Sequence, residues 1–119
     1  MPKDPRTFLP LKPVDLLLLL VLAEGERHGY ALVRELAERT DGDVTLEPGN
    51  LYRVLRRFMD DGLLDESEKR PAPDLDDERR RYYRLTTFGA RVAAAELERL
   101  RALVRSPAAR ALRQRWGTT

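Results

Sequence analysis

Asn50, Arg53, Arg56 and Arg57 stand close together, directly after Pro48-Gly49. A guanidinium can bond guanine bidentately, a carboxamide can bond adenine, and either can bond phosphate. On a helix, at about 100° per residue, these four side chains and Gly49 share one side. Leu51, Val54, Leu55 and Phe58 share the other, with Tyr52 and Met59 at its margin. Such a helix could rest on a core and enter a DNA major groove. The same pattern also describes a core helix with a solvated charged face.

Other chemistry has little to work with. The chain has one histidine, His28, and no cysteine. That excludes disulfides, thiolate zinc sites and cysteine nucleophiles. Paired carboxylates, a glycine-rich phosphate loop and a nucleophile–base set are all missing. Asp41-Gly42-Asp43 lacks the central glycine and terminal glutamate of a calcium loop. No enzyme activity, cofactor or metal is expected.

The 119 residues suit one domain with a helical extension. The formal charge is +2, with a pI near 9.2. That balance permits nucleic-acid binding without arguing for it. The apolar run Leu16–Ala23 is too short to cross a bilayer. It lacks the flanks of a signal peptide, so a soluble cytoplasmic protein is expected, with no membrane partner.

The elements that must position the arginines can be read in order. Residues 1–12 hold three prolines and little periodicity, which predicts an extended or mobile arm. A first helix is expected over Pro13–Ala23. It is apolar nearly all round, so its own core covers one face and a second subunit could cover the other. Leu16, Leu19 and Leu20 are the residues expected there. Burial wholly within its own domain is the alternative. Glu24–Arg27 reads as a turn, and His28–Thr40 as a second helix. Gly29 would admit a close backbone approach. Val44-Thr45-Leu46 alternates like a short strand.

The third helix begins at Pro48 and stops before Gly62. Leu63–Glu68 and Arg79–Leu85 read as paired strands around a charged loop, Lys69–Glu78. Strands joined this way after a helix–turn–helix make a wing. The loop acids repel phosphate, so Arg79, Arg80 and Arg81 are the better wing contacts. Alternation puts Arg80 and Arg84 on the face opposite Arg79 and Arg81, and one set could pair with acids instead.

Thr86 should cap a long helix over Thr87–Arg105. Ala93, Leu97, Leu100 and Val104 form a short coiled-coil-like seam, suited to a partner subunit or to the chain's own core. Glu96–Arg99 and Glu98–Arg101 are expected surface pairs. Ser106-Pro107 opens a short basic helix ending at Trp116, which could stack on a ligand or partner or simply fray. The predicted class is mainly α with a small β-wing. An arm (1–12) precedes a winged helix–turn–helix (13–86), a dimerisation helix (87–105) and a basic tail (106–119).

His28-Gly29-Tyr30, Pro48–Arg57, Asp61-Gly62-Leu63-Leu64 and Arg81–Thr86 together resemble the PadR family of bacterial transcriptional regulators, over roughly residues 9–104. The resemblance implies a homodimer on a palindromic operator in double-stranded DNA, usually as a repressor. It gives base-reading roles to Asn50, Tyr52 and Arg53 and places Tyr30 near phosphate. Some relatives hold a small aromatic effector at the dimer interface. Glu47 stands where Ser or Thr is usual, Lys12 where Thr is usual before Pro13, and Thr87 where Pro is usual. Glu47 could cap the helix yet repel phosphate. The near-neutral charge and acidic loop keep one other reading open, a winged-helix protein-interaction module that does not bind DNA.

Overall fold

The structure, a computed structural model, describes residues 3–67 and 81–117. Its elements run α1 (Pro13–Ala23), β1 (Arg27–His28), α2 (Gly29–Arg39), α3 (Pro48–Asp60), β2 (Leu64–Glu66), β3 (Tyr82–Leu85), α4 (Thr87–Arg105) and α5 (Pro107–Trp116). The three strands form an antiparallel sheet in the order β1-β3-β2. Leu64 faces Leu85 and Asp65 faces Arg84, while Arg27 faces Tyr83. Mainly helical layers with this small sheet give the expected class.

Local chemistry sets most helix ends. Proline opens α1, α3 and α5, where no amide donor is required. Neither Lys12 nor Glu47 makes a side-chain cap bond, so the capping expected of Glu47 does not occur. His28 Nδ1 caps α2 by accepting from the Ala31 amide at 3.2 Å. At the end of α3, Gly62 takes φ +78°. The Leu63 amide then returns to the Phe58 carbonyl and the Gly62 amide to Met59, closing a Schellman turn. Thr86 joins that turn to α4: its hydroxyl donates to the Gly62 carbonyl at 2.6 Å and accepts from the Gly89 amide at 2.9 Å.

Leu18, Leu19, Leu32, Leu36, Leu51, Leu55, Phe58 and Tyr83 make the centre of the core. Leu18, Leu19, Val21 and Leu22 show that α1 is covered mainly by its own domain. Gly89 packs directly on the Leu63 carbonyl, where a Cβ would collide. The first half of α4 supplies Val92 and Ala93, so a boundary at residue 86 would cut through one core.

Several expectations are corrected here. Residues 44–46 form no strand. The Val44 amide is bonded to Thr40 Oγ1 at 2.9 Å, so it joins the turn after α2 instead of a ladder. The third strand comes from Arg27–His28, the last residue of the expected turn and the first of the expected second helix, because β3 offers it a free edge. Residues 4–12 are not a loose arm. A short 3-10 turn covers Pro5–Phe8, with Asp4 accepting from the Arg6 amide. Phe8 meets Phe88 edge to face at 5.6 Å, and the Leu11 amide donates to Glu96 at 2.8 Å. The expected Glu96–Arg99 pair forms, but Glu96 is buried, 1% exposed, and does not lie on the surface.

Candidate nucleic-acid interface

α3 is held on the domain at both ends. Near its start, Tyr52 lies against Gly29, the first residue of α2. A Cβ at Gly29 would overlap the Tyr52 ring and hydroxyl. The close approach expected of Gly29 is thus made by a side chain, and it sets the spacing of α2 and α3. Near its end, Arg57 Nη2 donates to Asp15 at 2.7 Å, reaching the first turn of α1. Burial pushes the Asp15 carboxyl up, against the opposing pull of Arg57 and Lys12. Along the inner face of the helix, Leu51, Leu55 and Phe58 are buried.

The outer face follows from the same rotation. Gly49, Asn50, Arg53 and Arg56 are all exposed. No acidic residue occurs from Gly49 to Met59. Tyr30, 44% exposed, stands on the first turn of α2. The structure therefore brings Gly49, Asn50, Arg53 and Arg56 onto one open helical face. Two of the expected contacts sit differently. Tyr52 is half-buried against Gly29 and the core. Arg57, expected on phosphate, is committed to Asp15, because α1 brings a buried carboxylate within reach.

The wing is described in part. Arg79, Arg80 and the loop Lys69–Glu78 lie outside the described residues. Arg81 pairs with Glu66 at 3.3 Å, and Arg84 pairs with Asp65 at 2.7 Å. Both partners stand on β2, which faces β3 in register. Alternation left open which set of arginines pairs with the loop acids; the described member of each set, Arg81 and Arg84, pairs with an acid of β2.

Ion pairs also brace α2 from behind. Arg27 meets Glu35 at 2.7 Å, and Arg39 contacts both Glu24 and Glu35. The hydrogen bond from Arg39 pulls the Glu24 carboxyl below its ordinary range. Among the described residues no group of three or more His, Cys, Asp or Glu could hold a metal. No described helix is long and apolar enough to cross a membrane.

The residues expected at a dimer interface divide into two sets. Leu19 is 0% exposed and Ala93 is also buried, so both belong to the chain's own core and offer a partner no surface. Leu16, Leu20 and Leu100 are half-buried. Leu97 and Val104 are open to solvent. Heptad spacing identified the stripe, but only the packed domain shows where the core ends along α4. Glu96 and Gly89 were the positions whose importance sequence spacing missed. A glycine in the first turn of a capped helix was the one usable signal.

Comparison with known proteins gives a consistent result. The family described as "Transcriptional regulator PadR-like family" matches residues 18–95. RosR of H. salinarum, in a structure described as the complex of hsRosR-S4, is 30% identical. That likeness covers 91% of this chain and 88% of RosR, with a TM-score of 0.68. A PadR family regulator from Clostridium difficile R20291 is 21% identical over 87% of this chain and 97% of its own, with a TM-score of 0.66. Bacillus subtilis PadR, solved in complex with operator DNA, is 20% identical over 74% of this chain and 48% of its own, with a TM-score of 0.62. The last two likenesses establish the winged-helix fold.

Proposed function

The chain belongs to the PadR-like family of transcriptional regulators, and from that premise we propose that it binds double-stranded DNA as a homodimer and acts as a repressor. The observation that carries this reading is the exposed face of α3, where Asn50, Arg53 and Arg56 stand together with no acid in the sequence between Gly49 and Met59. A helix with that face fits the major groove. Arg53 and Asn50 can read base edges near its N-terminus, and Arg56 can bond phosphate.

Tyr30 lies on the neighbouring helix start and supplies a further hydroxyl toward the backbone. Arg81 joins through the wing, with its charge partly offset by Glu66. The Asp15–Arg57 pair and the Gly29–Tyr52 contact hold the reading helix in place and do not read DNA themselves. The B. subtilis PadR structure holds operator DNA on this same fold. Two copies related by a twofold axis would read two half-sites about 34–36 Å apart, hence a palindrome.

Selection of bound sequences from a random duplex pool with purified protein tests the proposal. The expected product is an inverted repeat with half-sites one helical turn apart, bound less tightly as salt rises. Failure to enrich any duplex, together with binding insensitive to salt, would favour the interaction-module reading.

A further inference from the structure

Beyond Glu96 the chain leaves its core. Gly89, Val92, Ala93 and Glu96 are buried, yet no residue from Leu97 to Trp116 is. Of the six large apolar side chains exposed among the described residues, five lie on this arm: Leu97, Leu103, Val104, Leu112 and Trp116. Scattered exposed apolar residues are ordinary, but their concentration on one arm marks an interaction surface. A ten-residue helix is marginal alone in water, and α5 holds none of its residues in the core. Its polar side is strongly basic, with Arg110, Arg113 and Arg115 and no acid.

A matching surface lies at the other end of α4. A cleft of about 450 Å³ opens where α1 ends and α4 begins. Leu22, Ala23, Leu85 and Ala90 line its apolar part, and Glu24 and Glu26 stand beside them. Arg84 also lines it, with its guanidinium paired to Asp65. Glu24 shares its charge with Arg39.

We propose that α5 of one copy docks in this cleft on a second copy of the chain, Trp116 entering against Leu85 and Ala90 while the α5 arginines meet Glu24 and Glu26. This rests on the homodimer reading and names a contact within it. Antiparallel pairing of the two α4 arms about the midpoint of Leu97 and Val104 covers the exposed seam. It sets the Ser106 junction of one copy opposite Ala95 of the other. Thr87, at the cleft, is then eight residues back along that α4, about 12 Å. The ten-residue α5 is about 15 Å long and spans that distance. Under twofold symmetry the contact is made twice, once at each end of the paired arms.

Trp116 is the chain's one tryptophan, so its fluorescence reports this contact without interference. The measurement pairs sedimentation with Trp116 emission and acrylamide quenching over a dilution series. The expected result is a dimer with blue-shifted, shielded emission, shifting red in step with dissociation. Trp116→Ala should weaken self-association by roughly tenfold or more. Glu24→Lys with Glu26→Lys should do the same by charge reversal. Because the chain has no cysteine, Glu26→Cys with Arg113→Cys should oxidise to a covalent dimer. A dimer whose Trp116 stays solvent-exposed at every concentration, and which Trp116→Ala leaves unchanged, overturns the docking and leaves the homodimer standing. A monomer at every concentration overturns both. Emission that is shielded in the monomer and insensitive to dilution places α5 on its own chain and also overturns the proposal.

Discussion

Arg57 Nη2 lies 2.7 Å from Asp15 Oδ2, tying the last turns of α3 to the first turn of α1. Asp15 is nearly buried and Arg57 is about half exposed. Removing the arginine therefore leaves a desolvated carboxylate with no comparable partner. Arg57→Ala should cost about 1–3 kcal/mol in urea unfolding. Arg53→Ala, on the exposed face of the same helix, should stay within about 0.5 kcal/mol. Equal costs for the two would show that the ion pair does not hold α3.

Asp15 also gives a pH signature. Burial raises its folded carboxyl above the ordinary 3.8, and Arg57 opposes that rise. Between the unfolded and folded values, the folded state binds the extra proton. Its contribution to stability therefore falls as pH rises through that window. Arg57→Ala removes the opposing charge and widens the window upward. The gap in stability between Arg57→Ala and the parent should narrow as pH drops from neutral toward 4. Urea midpoints across that range provide the check, and a gap independent of pH would refute the coupling.

Gly29→Ala should disturb the seating of α3, because the new methyl meets the Tyr52 ring and hydroxyl. Overpacking of this kind costs about 1–3 kcal/mol. Tyr52→Phe removes the nearest atom and should recover part of that loss in the double variant. Additive losses would mean that the two residues are not in contact.

Glu96 should govern acid stability from the opposite side. Its hydrogen bond with Arg99, supported by the Leu11 amide, holds the carboxyl below its ordinary 4.5 despite burial. A depressed folded value gives stability that is present above about 4.5 and lost as pH falls through the folded value. Glu96→Gln should lose about 1–3 kcal/mol at neutral pH and show a shallower decline below pH 4.5. It should also speed proteolysis before Lys12, since the Leu11 amide is the bond that pins this segment. Unchanged cleavage would show that the Phe8–Phe88 contact alone suffices.

On DNA, Arg53→Ala should cost about 1–3 kcal/mol and relax base preference at one position per half-site. Arg56→Ala should weaken binding to all sequences alike and lower the salt slope by about 1. Fluorescence anisotropy against the selected duplex and a scrambled one separates the two outcomes. Unaltered binding by Arg53→Ala would remove α3 from the groove.

The amino-acid sequence alone was enough for the helices and their ends. Pro13, Pro48, Gly62, Ser106 and the cap that Thr86 gives Gly89 act through sterics and hydrogen bonds within a turn, so their effect needs no distant partner. The amphipathic split of α3 was legible for the same reason, since helical rotation alone sorts Leu51 and Leu55 from Asn50 and Arg53. The combined motifs also pointed to the family. Which arginine meets α1 was a tertiary matter. Arg56 and Arg57 are neighbours of identical type, and only the fold shows that Asp15 arrives from α1 to meet Arg57. Likewise Glu96 reads as half of a surface pair until Leu11, 85 positions away, delivers its amide. The one-sided value of Leu19 and Ala93 as interface residues fails because the domain closes over them. Periodicity marks an apolar stripe, but burial depends on which distant segments fold onto it, and chain spacing carries no record of that.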